Sequence, residues 1–162
     1  MATFASLNAD NIVRRVVKID NSFGEDESPE LRNALNGFVP LKGDEVQWKQ
    51  CYYSGTRRAR AADVGGTYDA SHDVFIAIQP YPSWILSDDG KFEWVPPHGK
   101  WPHNPDDAQS KNIGGIEWYE TDRKFYGFAE KDETTFTRYN YNFGTDIWDL
   151  DKDVPKDDYL QD

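Results

Sequence analysis

Large rings recur at two-residue spacing on both sides of short polar turns, and this pattern is hard to reconcile with a helical fold. In Glu45 to Tyr53, EVQWKQCYY, Val46, Trp48, Gln50 and Tyr52 alternate with Gln47, Lys49 and Cys51. Ser83-Trp84-Ile85-Leu86 and Phe92-Glu93-Trp94-Val95 flank Ser87-Asp88-Asp89-Gly90-Lys91, a strong hairpin signal. IEWYE and KFYGF flank Thr121-Asp122-Arg123, and TTFTRYNYNF leads through Gly144 to Asp146-Ile147-Trp148. Side chains two apart share one face of a strand, so these runs predict a half-buried antiparallel meander. Six Trp, nine Tyr and nine Phe must supply much of the core, because only 38% of residues are hydrophobic.

The rest of the chain fits around these strands. Thr3 to Leu7 and Ile12 to Ile19 read as an N-terminal hairpin across Asn8-Ala9-Asp10-Asn11. Ser28-Pro29-Glu30 places a cap, a first-turn proline and an acid ahead of Leu31, Ala34 and Leu35, which predicts one short helix near residues 29–36, with Gly37 able to stop it. Gly65-Gly66 allows a sharp turn before TYDASHDVFIAI, two short strands around Ala70-Ser71-His72. Prolines at 80, 82, 96, 97, 102 and 105 deny central-strand hydrogen bonds, so residues 98–113 read as a Pro-rich loop.

The expected fold is therefore all-β and mainly antiparallel, a compact sandwich or barrel-like meander with one short helix. A chain of 162 residues is expected to form a single β-rich domain over 1–148, followed by a mobile acidic tail over 149–162 interrupted by Pro155.

Twenty-nine acids against eighteen Lys and Arg give a net charge of -11, which repels phosphate backbones and anionic membranes, so nucleic-acid and membrane partners are not expected. A single cysteine, Cys51, excludes an intramolecular disulfide and a cysteine-based zinc site within one chain. The opening MATFASLNADNIVRR lacks a basic leader followed by an apolar stretch, so a soluble chain that keeps its start is expected.

Catalysis needs converging groups, and little in the sequence suggests them. His98, His103, Asp106 and Asp107 are suitable metal-ligand types but have no recognised spacing, and in a proline-rich loop they are more often solvated. Cys51 on a strand reads as a small core residue. Nucleophile-elbow, phosphate-loop and zinc-protease motifs are missing, and the acidic turns lack the spacing of a calcium loop. A carboxylate pair that meets only in the fold stays open. No cofactor and no enzymatic activity are expected.

Binding has more support. Arg57, Arg58 and Arg60 form the one dense basic cluster, and their guanidinium forks suit carboxylates on a neighbouring subunit, although a charged strand edge reads equally well. Trp84, Trp94 and Trp101 lie in or beside turns and prolines, where a ring left exposed would stack on a sugar or anchor an interface, with core packing the commoner fate. These six residues are the candidate partner contacts.

Three stretches taken together carry a resemblance: FASLNADNIVRRVVKID, then VQWKQCYYSGTRRARAADVGGTYDASHDVFIAIQPYPSWIL, then DDGKFEWVPP. They resemble a family of small proteins encoded by marine cyanophages and related tailed bacteriophages. That family shows an F-A-x-(2-3)-N-x-V opening, a tryptophan-containing strand, a basic stretch, and a G-x-T-Y-D block leading to Q-P-Y-P-S-W and E-W-x-x-P. The match covers residues 4–20 and 46–97, its specific part being Gly66 to Trp94, while residues 100–162 depart from the pattern.

The resemblance implies a non-enzymatic virion structural protein, assembled in the host cytoplasm. A capsid decoration or knob-like protein is the first expectation, with a tail or baseplate accessory, or a receptor- or carbohydrate-binding module, as alternatives. The implied partners are other virion proteins, the major capsid protein first among them, and a homo-oligomer is open. The resemblance assigns no binding residues.

Overall fold

A computed structural model describes residues 2–20, 28–53, 57–98 and 101–159. The protein is all-β in class, 42% strand and 14% helix, with its strand ladders antiparallel. It divides into two compact units, residues 1–80 with 86–94, and residues 81–85 with 95–162.

The first unit is built on a three-stranded sheet in the order β2-β1-β3, from β1 (Ala2–Asn8), β2 (Val13–Ile19) and β3 (Glu45–Cys51). Asn8 turns the chain between β1 and β2: its side-chain oxygen accepts the amides of Asp10 and Ile12, and Asn11 adopts φ 60. That left-handed conformation is one asparagine tolerates better than most residues. Helix α1 (Pro29–Phe38) starts where Ser28 accepts the Leu31 amide at 3.0 Å, and it runs through Gly37 to Phe38.

β1 is central and covered on both faces. Ala2 and Phe4 pack with Leu31 and Leu35 of α1 and with Trp48 of β3. Ala5 and Leu7 pack with Cys51, Ala62, Tyr68 and Phe75, the last two from the hairpin of β4 (Thr67–Asp69) and β5 (Val74–Ile76). Alternation along one strand thus feeds two hydrophobic clusters, so β1 reads as a continuous buried run. Val46 does not join Trp48 in the core. The ladder pairs Leu7 with Gln47 and Asn8 with Glu45, which leaves Val46 in a bulge and exposed.

The Gly65-Gly66 turn is pinned to β2 by the Gly65 amide on the Val13 carbonyl and the Val13 amide on the Gly66 carbonyl, each 2.8 Å. A Cβ on Gly66 would stand 2.6 Å from the Ile76 carbonyl oxygen, so this position excludes a side chain. The hairpin expected around Ser87–Lys91 is present but short, with β6 (Ile85–Leu86) and β7 (Trp94–Val95) making a two-stranded sheet. The Ser87 amide closes it on the Glu93 carbonyl at 2.7 Å.

The second unit is a sequential antiparallel meander of β8 (Gly114–Tyr119), β9 (Lys124–Glu130), β10 (Thr135–Asn142) and β11 (Ile147–Pro155). One face carries Trp118, Phe125, Tyr141 and Trp148, which lie opposite one another in register and are buried. Two expectations are corrected here. Residues 105–110, read as Pro-rich loop, form helix α2 (Pro105–Ser110), because Pro105 occupies a first-turn position and the Asn104 side chain caps the Asp107 amide.

Residues 149–155, read as a mobile tail, continue β11, and Lys156–Tyr159 form α3. The acids of β11 are satisfied across the sheet: Asp149 accepts from Asn142, Asp151 pairs with Arg138, and Asp153 pairs with Lys131. Tyr159 packs on Phe128 at 4.6 Å and donates to Glu117. Residues 160–162 of that tail, and 99–100 of the expected loop, lie outside the described residues.

Candidate functional site

The basic stretch follows β3 and folds back against the β4–β5 hairpin. Arg58 and Ala59 take φ 58 and 61, and the Arg60 amide donates to the Arg58 carbonyl at 2.7 Å, a tight three-residue turn. The same carbonyl accepts the Phe75 amide at 3.1 Å, which fastens the turn to β5. Two consecutive non-glycine residues in the left-handed region cost on the order of 1–3 kcal/mol each, so the surrounding contacts must impose this shape.

The turn separates the three arginines. Arg58, its side chain 10% exposed, reaches inward to the Gln50 carbonyl and to Asp73 at 2.9 Å. Arg60 pairs with Asp63 at 2.6 Å. Arg57 stays outside, its guanidinium 5.3 Å from the centre of the Tyr52 ring and, among the described residues, hydrogen-bonded only by a long 3.4 Å contact to the Tyr52 hydroxyl.

Asp73, itself at φ 55, accepts the Tyr68 hydroxyl and has Lys49 at 3.8 Å as well as Arg58. Burial alone would raise its pKa, but the Tyr68 hydrogen bond and these two cations hold it below the usual carboxylate value. The result is an open cleft of about 410 Å³ lined by Tyr52, Arg57, Arg58, His72, Asp73 and Val74. The sequence flagged its arginines. It gave no local sign of Tyr52, His72 or Asp73, which only the hairpin brings to the same place.

The tryptophans also diverge. Trp84 is buried at 8% exposure, among Tyr81, Trp118 and Phe125 at ring distances of 5.3, 5.9 and 6.2 Å. Ser83 beside it donates its amide and hydroxyl to Glu120, which also accepts the Trp118 indole N–H. Trp94 is half-buried, its indole N–H tied to the Ala77 carbonyl at 2.8 Å. Trp101 alone of the three is open, 51% exposed, with Phe125 at 4.8 Å and Trp84 at 6.3 Å beneath it. Trp84 and Trp101 belong to the second unit, and the three arginines and Trp94 to the first.

Several titratable side chains elsewhere are bonded to near neighbours. Asp69 accepts the Ser71 hydroxyl and amide and the His72 ring at 2.7 Å, bonds that hold it well below the ordinary carboxylate range. The Ser71 hydroxyl lies 3.0 Å from Nδ1 of His72, the nitrogen that already faces Asp69, so the serine and the acid do not address opposite ring nitrogens as a nucleophile relay requires. Asp107 accepts from Lys111 and from the Trp148 amide, and His103 sits 3.2 Å from Asp146. Among the described residues no group of three or more His, Cys, Asp or Glu is placed to hold a metal ion. Cys51 is buried, which pushes its thiol pKa up and away from nucleophile chemistry. No helix among the described residues is long and apolar enough to cross a membrane.

No protein-family model, curated protein or solved structure matches the chain. The geometry itself defines an antiparallel β protein of two units, with an arginine-lined cleft and an exposed indole among the features of its described surface.

Proposed function

We propose that the chain is a non-enzymatic bacteriophage virion structural protein, first of all a head decoration protein that contacts the major capsid protein. The observation that carries this reading is where its large apolar side chains lie. Tyr53, Phe38, Leu150, Val64, Ile78, Val46 and Ile85 are all more than half exposed, although the chain is acidic overall and its core is filled by other rings. Side chains of this kind gain when a neighbouring subunit covers them, which suits a protein that works within an assembly. The resemblance of the G-x-T-Y-D to Q-P-Y-P-S-W block to cyanophage proteins favours the same reading. A tail or baseplate position accommodates these features equally well and differs in copy number.

A second reading has its own support. Trp101, held open on a bed of Phe125 and Trp84, is the arrangement by which a receptor- or carbohydrate-binding module stacks a sugar ring. Quantitative protein counts from purified particles separate these readings. A decoration protein is present in many copies and stays with emptied heads, whereas a tail part is scarce and follows the tails. Absence of the chain from particles overturns the proposal, and tryptophan fluorescence that changes on adding host surface polysaccharide favours the second reading.

A further inference from the structure

We propose that the cleft between Tyr52 and His72 is a carboxylate-binding site, with the Arg57 guanidinium as its principal donor. Four observations converge on it. Arg57 meets no carboxylate among the described residues, and its guanidinium is held in place by the Tyr52 ring and hydroxyl. The acid that shares the cleft is already occupied, because Asp73 is committed to Tyr68, Arg58 and Lys49. Its charge therefore opposes an incoming anion less than a free carboxylate would. His72, its Nδ1–H bonded to Asp69, closes the other side of the cleft and reports on what enters it. The wall is fixed by backbone in a costly conformation, with Arg58, Ala59 and Asp73 all at positive φ. The contacts around the cleft must offset that cost, so its wall is set by the fold and not by the ligand.

The occupant follows from the charges and the lining. A planar guanidinium matches the two oxygens of a carboxylate. A doubly charged phosphate would face Asp69 and Asp73 together with the field of a chain carrying a net charge of -11. Val74 and the Tyr52 ring supply apolar wall for the carbon stem that carries the acid. A glutamate side chain on another protein and a free small organic acid share this chemistry. The cleft has this capacity whether or not the chain enters a particle.

The test is an NMR titration of the whole chain, following the Arg57 Nε–Hε and His72 ring resonances. The probes are N-acetyl-glutamate methylamide, its glutamine counterpart, a glutamate-containing peptide blocked at both ends, and inorganic phosphate, all at matched ionic strength. Saturable shifts of both residues are expected with the glutamate probe, with none for the glutamine counterpart. Affinity should fall about tenfold or more in Arg57→Gln, the loss of one charge-assisted bidentate contact. Arg57→Lys keeps the charge without the fork and should bind at an intermediate level. Tighter binding of the peptide than of the single residue identifies a protein side chain as the source, and equal binding identifies a free acid. Equal shifts from the glutamine counterpart, unchanged affinity in an Arg57→Gln protein whose spectrum remains dispersed, or phosphate binding as tightly as the carboxylate would each overturn the proposal.

Discussion

Gly127 lies in β9, in the interior of the four-stranded meander, where a side chain of any size is excluded by its neighbours. A Cβ built there would overlap the Ile113 Cγ2 methyl and stand 3.1 and 3.3 Å from two atoms of the Trp148 ring. Trp148 is 1% exposed and cannot swing outward without opening the buried face that it shares with Tyr141. Overpacking a closed site costs roughly 1–3 kcal/mol. Gly127→Ala also restricts the unfolded chain, which returns about 0.4–1 kcal/mol, so the net loss should be about 1–2 kcal/mol.

Urea denaturation followed by tryptophan fluorescence measures this loss. The companion Ile113→Ala removes the methyl group that collides. The double substitution should therefore lose less than the sum of the two single losses, by at least about 0.5 kcal/mol, as coupled neighbours do. A Gly127→Ala protein as stable as the parent, or strict additivity in the cycle, would show that the Ile113 and Trp148 side chains do not close over this glycine as described.

Three other expectations can be checked as directly. Asp107 is held below the ordinary carboxylate value near 3.8 by Lys111 and by the Trp148 amide, so its contribution is complete above that value and is lost as pH falls through the lower folded-state pKa. The urea midpoint should accordingly drop on going from about pH 5 to pH 3, and the drop should be shallower in Asp107→Asn. Trp101 is the most exposed tryptophan, so Trp101→Phe should remove most of the iodide-quenchable fluorescence while the urea midpoint changes little. Trp148→Ala should cost about 3–5 kcal/mol, read by urea denaturation, because it empties the buried face of the meander.

The parts of this fold that were legible in advance are those whose signals act within a few residues. Ser28-Pro29-Glu30 fixes a helix start because cap, proline and acid all act on the first turn, and the Ser28 side chain makes the expected bond. Strand type was equally local, since ring alternation needs no knowledge of partners. The failures arose where a distant partner decides the outcome. Asp149, Asp151 and Asp153 look like solvent-exposed residues of a tail until Asn142, Arg138 and Lys131 stand opposite them, at which point the same alternation makes a strand.

Val46 obeys the period of β3 yet faces outward, because the bulge depends on how Leu7 and Asn8 pair. The prolines of residues 98–113 have the pattern of breakers, yet one of them, placed just after Asn104, begins a helix. For the cleft, the sequence placed three cations together. It held no record that the turn would send Arg58 inward, pair Arg60 with Asp63 and leave Arg57 exposed.

Which arginine matters is therefore a question of desolvation and prior commitment. A guanidinium already bonded to a carbonyl and a carboxylate, as Arg58 is, would have to release those bonds to take a new anion, and the exchange gains little. Among the described residues Arg57 gives up only a long bond to a hydroxyl, so most of a new contact is gain. The net charge of -11 works against any anion, but it acts over distances where salt screens it, the screening length being about 8 Å at physiological ionic strength. A carboxylate within hydrogen-bond reach of Arg57 lies inside that length and keeps most of its attraction. Local geometry therefore outweighs global charge at this one place on the surface, and it does so for a ligand that brings a single negative charge.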